Sequence, residues 1–478
     1  MGKRSVMMAA LLGLGAVQGV QAQSAQDFEE MRAEIRRLRA EVEALKKDKG
    51  AMQEKHAGMH GAGHGAMKDK VDDLELRAKD AVVLGDIPNS FRLPNSETSL
   101  RIYGFAELNM VKEFKGDNGD SDYASFVPYV PLSGSAEANR NGRTYLHART
   151  TRLGVEASTP SPYGPIGLKL EGDFNNDPRT GNAAVSGDIK NIYTQQATNS
   201  YNFRLRHAYG QFGGLLIGQT WSTFMDVDNG PETVDFNGPI GATFIRQPMI
   251  RYSYNTKDSG VFTAALENAV SYVLDNTGSV TTKGFSRAPD LVARWDKSFA
   301  WGSLSLRGVT HELRVKDGAT GVGTSSWGYG LAASGLIKAA GDDIVLWGLT
   351  WGQGIGRYFN YIEGAFYDAA NNRILKEKAL GVQLAYQHKA APNLRFNAVF
   401  GAQKHYDNAY TDFARANGLD AGRFGINRSV WQTHLGFIWN PVKNVDFGAE
   451  WLYGKRKTLA GETGEMNRLD FSAKYYFN

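Results

Sequence analysis

The chain has 478 residues, with 55 Gly, 21 Tyr, 24 Phe, 9 Trp, no Cys and a formal net charge of +4. That aromatic, glycine-rich balance favours a turn-rich β protein over the soluble helical classes, and so small a net charge gives no reason to expect a nucleic-acid partner. The missing cysteines exclude disulfides, thiolate metal sites and cysteine nucleophiles.

Residues 1–22, MGKRSVMMAALLGLGAVQGVQA, have a basic start, an apolar middle and a small-x-small end at Val20, Gln21 and Ala22. This is the pattern of a secretory signal peptide, with Gln23 as the mature N-terminus. Taken instead as a membrane anchor, the apolar stretch is short for a hydrocarbon core of roughly 30 Å, and no stop-transfer pattern follows. No later apolar run is long enough for a spanning helix, which leaves an exported chain that is either soluble or a membrane barrel.

Residues 23–50 read as a coiled coil. Phe28, Ile35 and Val42 occupy heptad position a, and Met31, Leu38 and Leu45 position d. Acidic Glu34, Glu41 and Asp48 at g face basic Arg32, Arg39 and Lys46 at e, the arrangement that pairs parallel helices across a seam. A solvated helix packing on its own domain is the alternative, since three heptads are few. Val or Ile at a with Leu at d leans toward dimers, but Phe28 and Met31 weaken the rule, and the coil alone does not fix the number of strands.

Residues 51–99 form a Gly- and His-rich linker and lead-in. His56, His60 and His64 recur every fourth residue beside Met52, Met59 and Met67. On a helix they would stack on one face and suit copper, nickel or zinc. Gly58, Gly61, Gly63 and Gly65 argue against that helix, so a flexible linker without metal is the preferred reading. No cofactor is expected. The acidic stretch KGDNGDSD, residues 115–122, lacks the spacing and terminal Glu of a calcium loop and reads as a solvated loop.

From residue 100 to 478 the sequence alternates apolar and polar residues in about sixteen strand-like segments. The connections alternate too. TPSPYGP, FGG, TKDSG, DKSFAWG, AGD, KAAPN and NPVKN are tight, and those between them are long. An outer-membrane barrel has short periplasmic turns and long external loops in this order, with both chain ends in the periplasm. One parity of successive strands is apolar, as in Ile166, Leu168, Leu170 and Phe174, while Lys169, Glu171 and Asp173 occupy the other. In the closing stretch Leu469, Phe471, Ala473, Tyr475 and Phe477 are expected to face lipid or a neighbouring barrel, and Asp470, Ser472 and Lys474 a water-filled pore. A soluble β-sandwich also alternates, but rarely ends so many strands on aromatics. The fold class expected is therefore an all-β transmembrane barrel of about sixteen antiparallel strands, preceded by a periplasmic coiled coil.

Several motifs make the reading more specific. RLRHAYGQFGGLLIGQTWSTFMDV, GPIGATFIRQPMIRYSYN, GQGIGRY and the ending NVDFGAEWLYGKRKTLAGETGEMNRLDFSAKYYFN resemble the DcaP-like outer-membrane porins. The resemblance implies a homotrimer of sixteen-stranded barrels joined by barrel walls and a periplasmic coil, seated in outer-membrane lipid and lipopolysaccharide. It also implies uptake of small anions such as dicarboxylates and aromatic acids. The Gly- and His-rich linker is not part of that family pattern.

A porin needs a wet constriction with a field rather than catalytic residues. The connection after GQTWS, roughly 222–245, carries Asp226, Asp228, Glu232 and Asp235, and its place after the fifth strand suits an inward-folded constriction loop. Parity puts Arg152, Arg204, Arg206, Arg251, Arg294 and Arg307 on the polar face, with Arg246 where the loop rejoins the wall. Such a cluster would concentrate anions. Equally, these arginines would pair with wall or loop carboxylates and hold the loop. The functional reading is an outer-membrane porin for small hydrophilic, anionic solutes. A structural outer-membrane anchor spaced by the coil is the alternative, and an outer-membrane hydrolase is disfavoured because no P-loop, HExxH or G-x-S-x-G motif appears.

Overall fold

A computed structural model of the chain describes residues 83–116, 125–176, 201–359 and 362–477. The leader, the coil, His56, His60 and His64, and the acidic residues 117–122 lie outside the described residues. Before residue 100, the short strands Val83–Leu84 and Phe91–Arg92 pair antiparallel, and Phe91 pairs in turn with Leu100.

The alternating segments form sixteen antiparallel strands. They are β1 Ser99–Lys115, β2 in two pieces (Thr144–His147 and Arg152–Thr159), β3 Ile166–Asn176, β4 Asn202–Phe212, β5 Leu215–Trp221 and β6 Arg246–Thr256. There follow β7 Gly260–Glu267, β8 Asp290–Phe299, β9 Gly302–Lys316, β10 Gly323–Lys338 and β11 Ile344–Gln353. β12 Lys378–Ala391, β13 Leu394–His405, β14 Asn427–Trp439, β15 Val445–Thr458 and β16 Thr463–Phe477 complete the set. Each pairs with its neighbour in sequence, and β16 returns to β1 with Phe471 opposite Met110 and Tyr475 opposite Ala106, so the sheet closes without an edge. A closed sheet of this many strands is too wide for side chains to fill and leaves a channel.

Alternation decides which solvent each face meets. On β3, Ile166, Leu168, Leu170 and Phe174 are exposed on the outside while Glu171 and Asp173 are buried inside. The same holds at the end of the chain, where Phe471 and Tyr475 are exposed outward. Asp470 departs from expectation: it sits on the inner face as its parity requires, but it is 3% exposed because an inward-folded loop covers it.

The turns at one end of the barrel are tight. Between β4 and β5 the chain reverses in two glycines, where Gly213 has φ 55 and a Cβ on Gly214 would lie 2.2 Å from the Ser253 carbonyl oxygen. At the other end most connections are long, although 317–322 and 459–462 are short. The long loops bury apolar side chains among themselves, Leu274, Phe366, Tyr410 and Leu459 meeting over the mouth. The helix Ala409–Ala416 in this layer is capped by Asn408, whose side chain accepts from the Tyr410 and Thr411 amides.

Candidate functional site: the pore eyelet

The loop 222–245 leaves β5, crosses the lumen and is fastened to the far wall. Near its start Asp226 accepts from Arg294 on β8 at 3.2 Å and from the Ser334 hydroxyl on β10. Phe224 offers its carbonyl to Arg307 on β9 at 3.0 Å. At the tip Glu232 takes both ends of the Arg395 fork from β13, at 3.0 and 2.9 Å. Next, the Val234 and Asp235 amides donate to Glu450 on β15 at 3.0 and 3.2 Å, and Glu450 is itself 2.8 Å from the His434 ring nitrogen. Asp235 meets Arg468 on β16 at 3.0 Å and also accepts the Ser125 amide and hydroxyl.

Packing reinforces these charges. A Cβ on Gly401 would lie 2.3 Å from the Ile240 carbonyl oxygen, and one on Gly381 would lie 2.6 Å from that of Gly241. Only glycine lets the loop backbone approach the wall this closely.

Most of the loop acids take the loop-holding role, one of the two that the sequence left open. Asp226, Glu232 and Asp235 are spent on the wall and do not form an acidic face across the pore; Asp228 alone of the four is widely exposed, at 82% for its side chain. Burial pushes the Asp226 carboxyl up, but Arg294, Ser334 and Asn229 more than offset this and hold it below the usual aspartate range. Arg294 and Arg307, read from parity as pore residues, are anchors. Arg294 also holds Asp296 at 2.6 Å and the Met225 carbonyl at 2.7 Å, and Arg307 is buried against Ser334 at 2.6 Å.

Between the loop tip and the wall of β1, β2, β4 and β16 lies a cavity of about 280 Å³, lined by Phe105, Glu107, Arg152, Arg206, Trp221, Phe236 and Lys474 among others. Three of the predicted arginines meet on this wall. Arg204 holds Asp173 with both arms, at 3.0 and 2.8 Å, and its guanidinium lies 5.6 Å from the ring of Phe236 on the loop. Arg206 bridges Glu171 at 2.7 Å and Asp173 at 2.9 Å. Arg152 lies 3.5 Å from Glu171 and 5.1 Å from the Phe105 ring centre.

Arg246 completes the cluster from the end of the loop. Its guanidinium covers the indole of Trp221 at 4.2 Å, while its Nη1 is buried without a hydrogen-bond partner. Lys474, which parity placed on the pore face, lies 3.2 Å from Glu107. The eyelet thus gathers Arg152, Arg204, Arg206, Arg246 and Lys474 around Glu107, Glu171 and Asp173, an excess of positive charge fixed to rigid strands. Arg251 lies apart, in a separate cavity on the short-turn side of the loop.

Parity identified the inward face, but not the partners across it. Arg395, Arg468, Glu450 and Gln432 were missed as loop anchors because their partners are remote in sequence; all stand on the polar parity of their strands, which is the one signal they carry. Trp221 and Phe236 were missed because aromatics in a barrel are expected at the membrane interfaces. Among the described residues no group of three or more His, Asp or Glu side chains is placed to hold a metal ion.

A model of the family described as DcaP outer membrane protein matches residues 86–477. Among solved structures the chain is similar to the outer membrane channel DcaP of Acinetobacter baumannii, with 27% identity and a TM-score of 0.66 over 83% of this chain and 100% of that one. More distant in fold is an anion-selective porin from Comamonas acidovorans, with 15% identity and a TM-score of 0.46 over 80% of this chain and 100% of that one. The trimer form of OmpT, an outer membrane protein of Vibrio cholerae, stands at 15% and 0.45 over 80% and 99%. The curated proteins contain no match.

Proposed function

We infer the solute preference from one premise: the chain belongs to the DcaP outer membrane protein family, and it is an outer-membrane channel. The reading is that small hydrophilic anions, carboxylates, dicarboxylates or aromatic acids, diffuse toward the periplasm through the eyelet. The observation that carries it is the charge excess there, five cations against three carboxylates, with Arg152, Arg206 and Lys474 lining the cavity itself. A guanidinium matches a carboxylate in two-point fashion, and in a narrow passage with low-dielectric walls a fixed positive excess raises the local concentration of anions. Assembly is read as a homotrimer through barrel walls and the N-terminal coil, from the family resemblance and the acidic g and basic e positions of residues 23–50.

Reversal potentials across planar bilayers in a salt gradient test the solute reading. The wild-type channel is expected to pass chloride or succinate in preference to potassium. The double variant Arg204→Ala with Arg206→Ala leaves three cations facing three carboxylates, so its permeability ratio should fall toward one. Cation preference in the wild type, or an unchanged ratio in the variant, defeats the assignment.

A further inference from the structure

On the short-turn side of the loop lies a cavity of about 840 Å³ that the eyelet does not include. It is bounded by β5 to β9 and the first residues of the loop, and its wall is rich in hydroxyls, among them Thr223, Ser253, Thr263, Ser303 and Ser305. Two arginines reach this space, and they differ in their partners. Arg294, across the cavity, is occupied by Asp226, Asp228 and Asp296. Arg251, in the middle of β6, lines the same space yet makes no hydrogen bond or ion pair with any described residue.

Its setting supplies the second half of a site. Ser253, two residues along the same inner face, shares a 3.0 Å hydrogen bond with Thr263 on the adjoining strand, which leaves one hydroxyl proton of that pair available. Ser253 and Thr263 stand directly opposite each other on β6 and β7, so both hydroxyls lie one inner-face position from Arg251. The acids that line this space are Asp228, Asp258 and Asp296, two of which face Arg294, and the buried Glu267, held by Ser222, Thr223 and Gln247, acts on Arg251 through its charge without an ion pair. Arg251 also sits five residues beyond Arg246 on one strand, roughly 17 Å along the strand at about 3.3 Å per residue and, with a strand tilt of about 40°, roughly 13 Å along the pore.

We propose that Arg251, with the hydroxyls of Ser253 and Thr263, is a second oxyanion station on the short-turn side of the loop, taking a carboxylate or phosphate group. As a relay it rests on the anion reading of the eyelet: a solute leaving Arg246 meets a second unpaired guanidinium instead of open water. As a site it stands on its own residues.

The absence of cysteine from the sequence gives a clean test. In detergent-solubilised full-length protein, where reagents reach this cavity from the short-turn end without crossing the eyelet, the variant Ser253→Cys is treated with an anionic and a cationic methanethiosulfonate of similar size. The anionic reagent is expected to react at least fivefold faster, and the ratio should collapse toward one when Arg251→Gln is added. Inorganic phosphate at millimolar concentration should slow the anionic reaction in the single variant and not in the double one. A ratio near one in Ser253→Cys, or a ratio that Arg251→Gln leaves unchanged, overturns the station. Reversal potentials of Arg251→Gln keep the two readings apart. Retained anion preference with a collapsed reactivity ratio supports both, whereas a wild-type channel without anion preference removes the eyelet reading and leaves the reactivity ratio to decide the site.

Discussion

Replacing Arg468 with Met asks whether charge holds the constriction loop. Arg468 is 1% exposed and binds Glu113 at 3.3 Å, Asp235 at 3.0 Å and Asp470 at 2.9 Å. Met keeps much of the aliphatic stem but leaves three carboxylates in one dry pocket with no cation among them. Removing one partner of a buried ion pair costs ~3–5 kcal/mol. At about 1.4 kcal/mol per decade, the docked-to-undocked ratio of the loop falls by roughly two to three and a half decades. The backbone ladder of β16 with β1 and β15 uses no side chain, so the cost should appear in the loop and not in barrel closure. Single-channel recording is the assay, with heat-modifiable migration on SDS gels as the check on the barrel. Arg468→Met should migrate as a folded barrel and show a larger, noisier conductance. Adding Asp235→Asn, which removes one stranded charge, should recover part of the wild-type trace. Wild-type conductance and noise in Arg468→Met would refute the reasoning and assign the docking to the glycine contacts at Gly381 and Gly401.

Other consequences can be measured with the same preparations. Arg395→Ala frees the loop tip at Glu232, a pair whose side chains are 24% and 33% exposed, and should cost only about 1 kcal/mol, visible as added current noise with little change in mean conductance. Asp226 has a depressed pKa in the folded state, so its contribution is fully present above about pH 4, where the unfolded carboxyl is ionised. That contribution is lost as pH falls through the lower folded value; the acid-induced rise in current noise should therefore begin below pH 4, and Asp226→Asn should remove its share of that step. Leu170→Arg, on the outward face of β3, should destabilise the barrel by ~2–4 kcal/mol if it lies near the bilayer midplane, read as a lower midpoint of urea unfolding in vesicles.

Strand number and facing were legible because both follow from local chemistry. Alternation with period two fixed the inward residues of β3 and of β16, and the rhythm of tight and long connections carried the topology. The constriction loop was legible as a location, from its place after the fifth strand. That its acids would pair with wall arginines stood as one of two open readings; which arginines was not legible, because Asp226, Glu232 and Asp235 find their partners on β8, β13 and β16, and no short-range pattern encodes those pairings. The split of the arginines was hidden for the same reason: Arg294 and Arg251 share a parity and a cavity, yet one is saturated by carboxylates and the other faces hydroxyls. The helix Ala409–Ala416 escaped notice because it is a two-turn element held by loop packing.

The route of the loop also sets an order of assembly. Residues 222–245 are synthesised early, but the groups that hold their far end, Glu232 to Asp235, belong to β13, β15 and β16, the last to be made. Until the final strand is in place, the latch at Asp235 has no Arg468 to close on. A barrel caught before closure would keep its loop undocked and its passage unrestricted. The narrowed channel is thus the last property the chain acquires, and a restricted conductance reports that the final strand is in place.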